Sequence, residues 1–254
     1  MMTARRLAAA IALLLLVAGR AAAVPPLVIG DAPTADRGHG ELYAGAQWTR
    51  TDVGELSVPA SELVLGVSDW QEVTVEAPYL AVPGRHGFGD VTLGTKVRLL
   101  AEEGGRPGAA GSLEWKLPNA SRAAGLGTGA AELALRLRGQ KTWGRFTAIA
   151  NAGITRVGAP REGGVTLPRR NTGFLGAGAV VDVGPRLKLL ADVYWQGADV
   201  VGEPARAAGD LGLERKLTRS LAFHAAIGRS LRSAAAGGPE LRVYGGLKWE
   251  FGVF

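Results

Sequence analysis

Residues 241–254 read LRVYGGLKWEFGVF. Leu241, Val243, Leu247, Trp249, Phe251 and Val253 occupy one set of alternate positions, and Arg242, Tyr244, Lys248 and Glu250 the other. Side chains alternate across a strand, so this one presents an apolar face and a charged face. Such a strand is built to lie between two different solvents.

The same pattern recurs upstream. DVTLGTKVRL sets Val91, Leu93, Val97 and Leu99 against Asp90, Thr92, Lys96 and Arg98. SLEWKL sets Leu113, Trp115 and Leu117 against Ser112, Glu114 and Lys116. ELALRLR opposes Leu133, Leu135 and Leu137 to Glu132, Arg136 and Arg138, and LKLLADVYWQ opposes Leu187, Leu189, Val193 and Trp195 to Lys188, Asp192, Tyr194 and Gln196. A helix would need apolar residues three and four apart, and these segments do not supply them. About twelve strands are expected, near 41–50, 60–67, 72–80, 88–100, 110–117, 128–138, 145–156, 172–183, 187–198, 206–215, 220–230 and 240–253, joined by Gly-, Pro- and Arg-rich turns. In 145–156 and 172–183 the outer face is mostly Ala and Gly, which specifies register weakly.

The N-terminus tells which compartment to expect. Arg5 and Arg6 precede an apolar run from Leu7 to Val17, and Ala21, Ala22 and Ala23 form a small-residue cleavage site. This is the form of a secretory signal over residues 1–23, too short for a comfortable membrane span of ~20 residues. Its loss removes three arginines and lowers the formal charge from +6 to +3, too little for a clustered nucleic-acid face. There is no cysteine, hence no disulfide and no thiolate metal site. Residues 24–38 are expected to be an N-terminal segment, periplasmic or docked in a lumen, and residues 39–254 a single β-structure.

A soluble sandwich also has one apolar and one charged face. Three observations favour an antiparallel transmembrane β-barrel. Short connections (SDWQ, QKTWGR, VGPR, KLTR) interleave with mostly longer ones (TRTDVGELSVP, PNASRAAGLG, VGAPREGGVTLPRRN), as in outer-membrane barrels, although EEGGRPGAA is long on the short side. Trp70, Trp143 and Trp249 then fall at one end of the strands and Trp48, Trp115 and Trp195 at the other, with Phe251 beside Trp249, forming two interfacial aromatic belts. Finally, Tyr244, Gly246, Trp249, Phe251 and the terminal Phe254 have the spacing of a terminal-strand signal for the barrel-assembly machinery.

On this reading the charged face lines the lumen. The candidates are Glu72, Glu76, Asp90, Lys96, Arg98, Glu114, Lys116, Glu132, Arg136, Arg138, Asp192, Tyr194, Asp210, Glu214, His224, Arg242, Lys248 and Glu250. A basic residue at mid-bilayer costs ~2–4 kcal/mol, so turning such a barrel inside out would cost on the order of tens of kcal/mol. The apolar face therefore meets lipid. Acids and bases at comparable positions on neighbouring strands point to ladders of ion pairs rather than to acid–base catalysis. Of the three histidines only His224 is mid-strand, and no His-x-Ser-Asn run accompanies it, so an acid partner is expected for it and no catalytic, cofactor or metal site is assigned. GLGTGAAE (125–132) lacks the Lys-Ser/Thr of a phosphate loop.

The stretches PPLVIGDAPTADRGHGELYAG, LVLGVSDWQEVTVEAPYL and GFGDVTLGTKVRLL resemble the outer-membrane family named for the meta-pathway of phenol degradation and often labelled transporter. The resemblance implies an outer-membrane channel or uptake role, with aromatic or hydrophobic compounds as cargo, and carries over no functional residue. The expectation is a monomeric porin-like barrel passing small solutes. A closed structural or lipid-interacting barrel and, third, a lipid hydrolase remain as alternatives. Outer-membrane lipid and lipopolysaccharide are the expected surroundings; Arg85, Arg122, Arg156, Arg161, Arg169, Arg170, Arg206 and Arg232 in the long loops either pair with lipopolysaccharide phosphates or merely keep the loops soluble.

Overall fold

The computed structural model describes residues 27–50, 54–159, 161–162, 165–166, 169–199, 201–232 and 240–253. The signal segment and Phe254 lie outside them. The strands are β1 (His39–Arg50), β2 (Gly54–Ser68), β3 (Gln71–Glu76), β4 (Tyr79–Val82), β5 (Arg85–Phe88), β6 (Thr92–Leu100), β7 (Gly108–Lys116) and β8 (Glu132–Trp143). They continue with β9 (Phe146–Val157), β10 (Arg161–Glu162), β11 (Val165–Thr166), β12 (Thr172–Gly184), β13 (Leu187–Gln196), β14 (Arg206–Lys216), β15 (Leu221–Ser230) and β16 (Leu241–Gly252).

Twelve of these run β1-β16-β15-β14-β13-β12-β9-β8-β7-β6-β3-β2, every neighbour antiparallel, and β1 pairs with β2 to close the barrel. Closure leaves no unpaired edge, which is what allows a sheet to sit in lipid. The outer wall carries Leu135, Ile154, Leu175, Val193, Leu211 and Ile227, each at least half exposed, while alternate residues point inward. An apolar band of this kind needs a hydrocarbon solvent. Trp70, Trp143 and Trp249 ring the end with the short turns, and Trp48, Trp115 and Trp195 ring the other. Phe251 packs against Trp249 with ring centroids 4.9 Å apart.

Two expected segments need correcting. The strand placed at 72–80 ends at Glu76, and the chain then forms a β4–β5 hairpin that lies along the outer half of β2, pairing Leu56 with Ala81 and Ser57 with Leu80. Pro78 breaks the ladder there, since it has no N–H to donate. The strand placed at 128–138 starts at Glu132; residues before it belong to a loop.

Residues 27–38 enter the barrel from the short-turn end. Gly38, at φ 76°, makes the turn from lumen to wall, a conformation that favours glycine. Its N–H donates to the Gly66 carbonyl (2.9 Å) and its carbonyl accepts from Val253 N–H (2.7 Å). Leu27 and Ile29 form an interior apolar cluster with Ile149 and Phe174, flanked by Val28, Val180, Leu190 and Tyr194. The wall makes room for them with glycine: a Cβ on Gly176 would meet Ile29 at 2.5 Å.

Candidate functional site: the lumen

The interior has two unlike walls. On β9, β12 and β13 it combines apolar side chains and glycines with the buried polar Asn151 and Asp192, and the N-terminal segment is seated there. Backbone polar groups buried in a lumen need partners, and barrel side chains provide them. The N–H groups of Val28 and Ile29 donate to Asp192 Oδ2 (2.9 and 3.1 Å). Asn151 both accepts from Gly30 N–H (2.9 Å) and donates to its carbonyl (2.8 Å). Ala32 N–H donates to Gln140 (3.3 Å) and Ala35 N–H to Glu72 (2.7 Å).

The other wall, β2 to β8, is charged, and its side chains form a ladder. Lys96 bridges to Glu72 (3.0 Å) and to Asp31 of the N-terminal segment (3.4 Å). Lys116 pairs with Glu132, and Glu114 receives Arg138 (3.1 Å) and Arg136 (3.5 Å). Arg136 also lies 4.2 Å over the Phe174 ring, which stacks on Tyr194 at 6.0 Å. Across the barrel Arg242 holds Asp210 (2.8 Å), and Lys188 and His224 approach Glu214 (3.4 and 3.2 Å). Lys248 reaches Glu250 (2.8 Å) and Glu41 (4.0 Å). His224 also tilts against the Tyr43 ring, centroids 5.7 Å apart.

Two of the lumen candidates are placed elsewhere. Arg98 sits at the short-turn rim, where its guanidinium donates to the Asp69 carbonyl. Asp90 is fully buried in the long-loop end: it accepts from Ala120 N–H (3.0 Å) and Thr128 N–H (3.1 Å) and so ties down the loop after β7. Of the loop arginines, Arg85, Arg170 and Arg232 donate to the carbonyls of Ala123, Ala198 and Ala205. Arg169 and Arg206 turn to Asp199. Arg156 lies exposed on the lipid side of β9, and the Arg161 side chain is outside the described residues. Sequence reasoning missed Asn151, Gln140 and Phe174, of which Asn151 had a signal: it is the one amide in the Ala- and Gly-rich run of β9. It also missed that carboxylates come together across strands, Glu62 opposite Glu76 and Asp192 opposite Asp210.

Above the N-terminal segment, toward the long loops, the lumen opens as a vestibule of about 530 Å³ whose lining includes Gln47, Glu55, Phe174, Tyr194 and Arg206. It narrows to a cleft of about 70 Å³ between the segment and the charged wall, lined by Gly30, Lys96, Ser112, Arg138 and Asn151 among others.

The family model described as "Putative MetA-pathway of phenol degradation" matches residues 29–166, from the seated segment through the first half of the barrel. The chain belongs to this family. The solved structure of an outer membrane channel from Pseudomonas putida F1 superposes with a TM-score of 0.71 at 14% identity, covering 89% of this chain and 100% of that one. The NanC porin gives 0.60 at 7% identity over 83% and 98% of the two chains, and the KdgM porin 0.55 at 8% over 84% and 99%. At these identities the likeness is one of fold, that of outer-membrane channel barrels. No curated protein matches the chain.

Proposed function

We propose that this chain is a passive channel of the bacterial outer membrane for small solutes. One observation supports the reading: the vestibule and the cleft beside the N-terminal segment share lining residues, so polar space continues from the vestibule down alongside the segment. Twelve strands lie between barrels with filled interiors and those with open aqueous pores, and the seated segment accounts for the narrowness. Small size is the first selection. The family's description concerns phenol degradation, and the stacked Phe174 and Tyr194 offer ring faces in the vestibule wall, which supports aromatic cargo. Export by the signal segment, assembly through the terminal strand, a monomeric state and lipopolysaccharide contact at exposed Arg156 complete the proposal. We assign no enzymatic activity, since His224 is engaged by Glu214 and Tyr43.

The test is single-channel conductance of the refolded mature protein in a planar bilayer, with residues 27–38 present and deleted. Small conductance in the intact protein that grows on deletion supports a pore narrowed by its own N-terminus. The ion-pair ladders favour a second reading, a closed structural barrel. Silence from both forms after demonstrated insertion would establish that one and end the channel reading.

A further inference from the structure

Arg215 stands exposed at an outward position near the short-turn end of β14, two residues beyond the outward Leu213. Its neighbours on the same cross-strand row are Leu187 of β13 and Phe223 of β15, both exposed on the lipid side. With Leu213 and the β12–β13 turn through Arg186 they line an open groove of about 630 Å³ on the outer wall. Its floor is apolar and continues toward mid-membrane through the next row, Leu189, Leu213 and Ala225. Two guanidiniums cap it. Among the described residues neither Arg186 nor Arg215 makes a side-chain hydrogen bond or an ion pair, whereas Lys141, at the same rim, holds Glu102 (3.6 Å). Asp182 and Glu214 share a separate pocket with Arg186 on the lumen side of the rim, and Glu214 is held there by Lys188 and His224. Lys216 and Arg219, exposed at the β14–β15 turn, add further positive charge.

A cation on the lipid face is tolerated where its head reaches the interface, and it is stabilised there by an anion. Leu221, one row nearer the turn than Phe223, pairs with Trp249 of the aromatic belt, so Arg215 lies at the edge of the headgroup level. The short turns of outer-membrane barrels face the periplasm, which puts the groove in the glycerophospholipid leaflet. We propose that it binds one anionic glycerophospholipid, with the phosphate diester between Arg186 and Arg215 and one acyl chain along Leu187, Leu213 and Phe223. Guanidinium N–H groups donate well to phosphate oxygens. A zwitterionic lipid brings its own cation against the same positive rim and binds less well. The site is independent of the channel reading, because the outer wall meets lipid whether the lumen is open or closed.

The experiment is native mass spectrometry of the detergent-solubilised mature protein titrated with dioleoyl phosphatidylglycerol, with dioleoyl phosphatidylcholine as the zwitterionic counterpart carrying the same chains. A single phosphatidylglycerol should be retained ahead of phosphatidylcholine. An arginine beside an anionic lipid headgroup contributes roughly a fivefold change in binding, so Arg186→Gln and Arg215→Gln should each weaken retention by about that factor. The double variant should lose the preference, with heat-modifiable gel migration showing that it is folded. Arg229→Gln removes an exposed outward arginine at the opposite end of β15 and should leave retention unaltered. Equal retention of the two lipids, an undiminished preference in the folded double variant, or an equal loss in Arg229→Gln would overturn the site. Displacement of the lipid by excess glycerol phosphate, which has the headgroup anion without the chains, would also overturn it, since the arginines would then bind free phosphate.

Discussion

Asp90 is a single carboxylate doing the work of a loop clamp. It sits in the GFGD run, fully buried, with donors from both ends of the loop between β7 and β8. Asn119, from the same loop, adds a bond to Val91 N–H (2.8 Å) and another to the Gly89 carbonyl (3.2 Å). Asp90→Asn replaces one acceptor oxygen by a donor and orphans a buried N–H, at a cost of about 1–3 kcal/mol. Limited proteolysis should then cut within residues 117–131 faster than in the native protein, with the barrel still resistant; unchanged cleavage would mean the clamp is dispensable. Glu102 does a similar job on the other rim, in the connection after β6. Hydrogen bonds from the Gln140 side chain (3.0 Å) and the Thr142 N–H hold its carboxyl below the ordinary 4.5. A depressed carboxylate contributes stability that is complete above the unfolded value and lost as pH falls through the folded one. The protection factor of the Thr142 amide should therefore decline as the pH drops below 4.5, and Glu102→Gln should flatten that dependence.

At the scale of elements the decisive piece is the one that is neither helix nor strand. Residues 27–38 stay in the lumen because Asp192, Asn151, Gln140 and Glu72 each supply a partner for their backbone, and because Ile29 fills space left by Gly176 and Gly178 while Leu27 packs in the same apolar cluster. Asn151→Ala removes two of these bonds and leaves the Gly30 N–H and carbonyl without partners, each worth about 1–3 kcal/mol in a buried setting. The expected outcome is a larger or more often open conductance, short of that of the deletion lacking residues 27–38; an unaltered trace would mean the segment is held by its apolar cluster alone. The strand pattern was legible almost throughout, since alternation is local and each strand carries its own. What failed locally was the 72–80 segment, where Pro78 interrupts a run that otherwise alternates well and the chain doubles back as the β4–β5 hairpin.

At the scale of the molecule the barrel is a sheet with its charges inside. Leu211 stands mid-strand on β14, about two-thirds exposed on the outer wall. Leu211→Arg places a cation toward the hydrocarbon and should cost ~2–4 kcal/mol, read as a lower midpoint in urea titrations of folding into lipid vesicles. If the wall at this height faced water instead, the midpoint would hardly move. The lumen ladders were expected in kind, and Lys96–Glu72, Arg138–Glu114 and Arg242–Asp210 are of that kind. Which acid meets which base was not readable, because partners are set by register. β1 slips between Gly45 and Gln47 against β2, and β2 between Gly66 and Ser68 against β3. One residue of slip moves every side chain to the other face.

The sequence alone determined the strands, their two solvents, the aromatic rims and the closure expected of an even antiparallel set, because each of these follows from alternation and turn chemistry within a few neighbouring residues. The tertiary structure decided how residues 27–38 lie in the lumen, which wall they leave uncovered, and that Glu62 faces Glu76 across β2 and β3. Those facts depend on contacts between residues far apart in the chain, such as Gly30 with Asn151, and only closing the barrel brings them together.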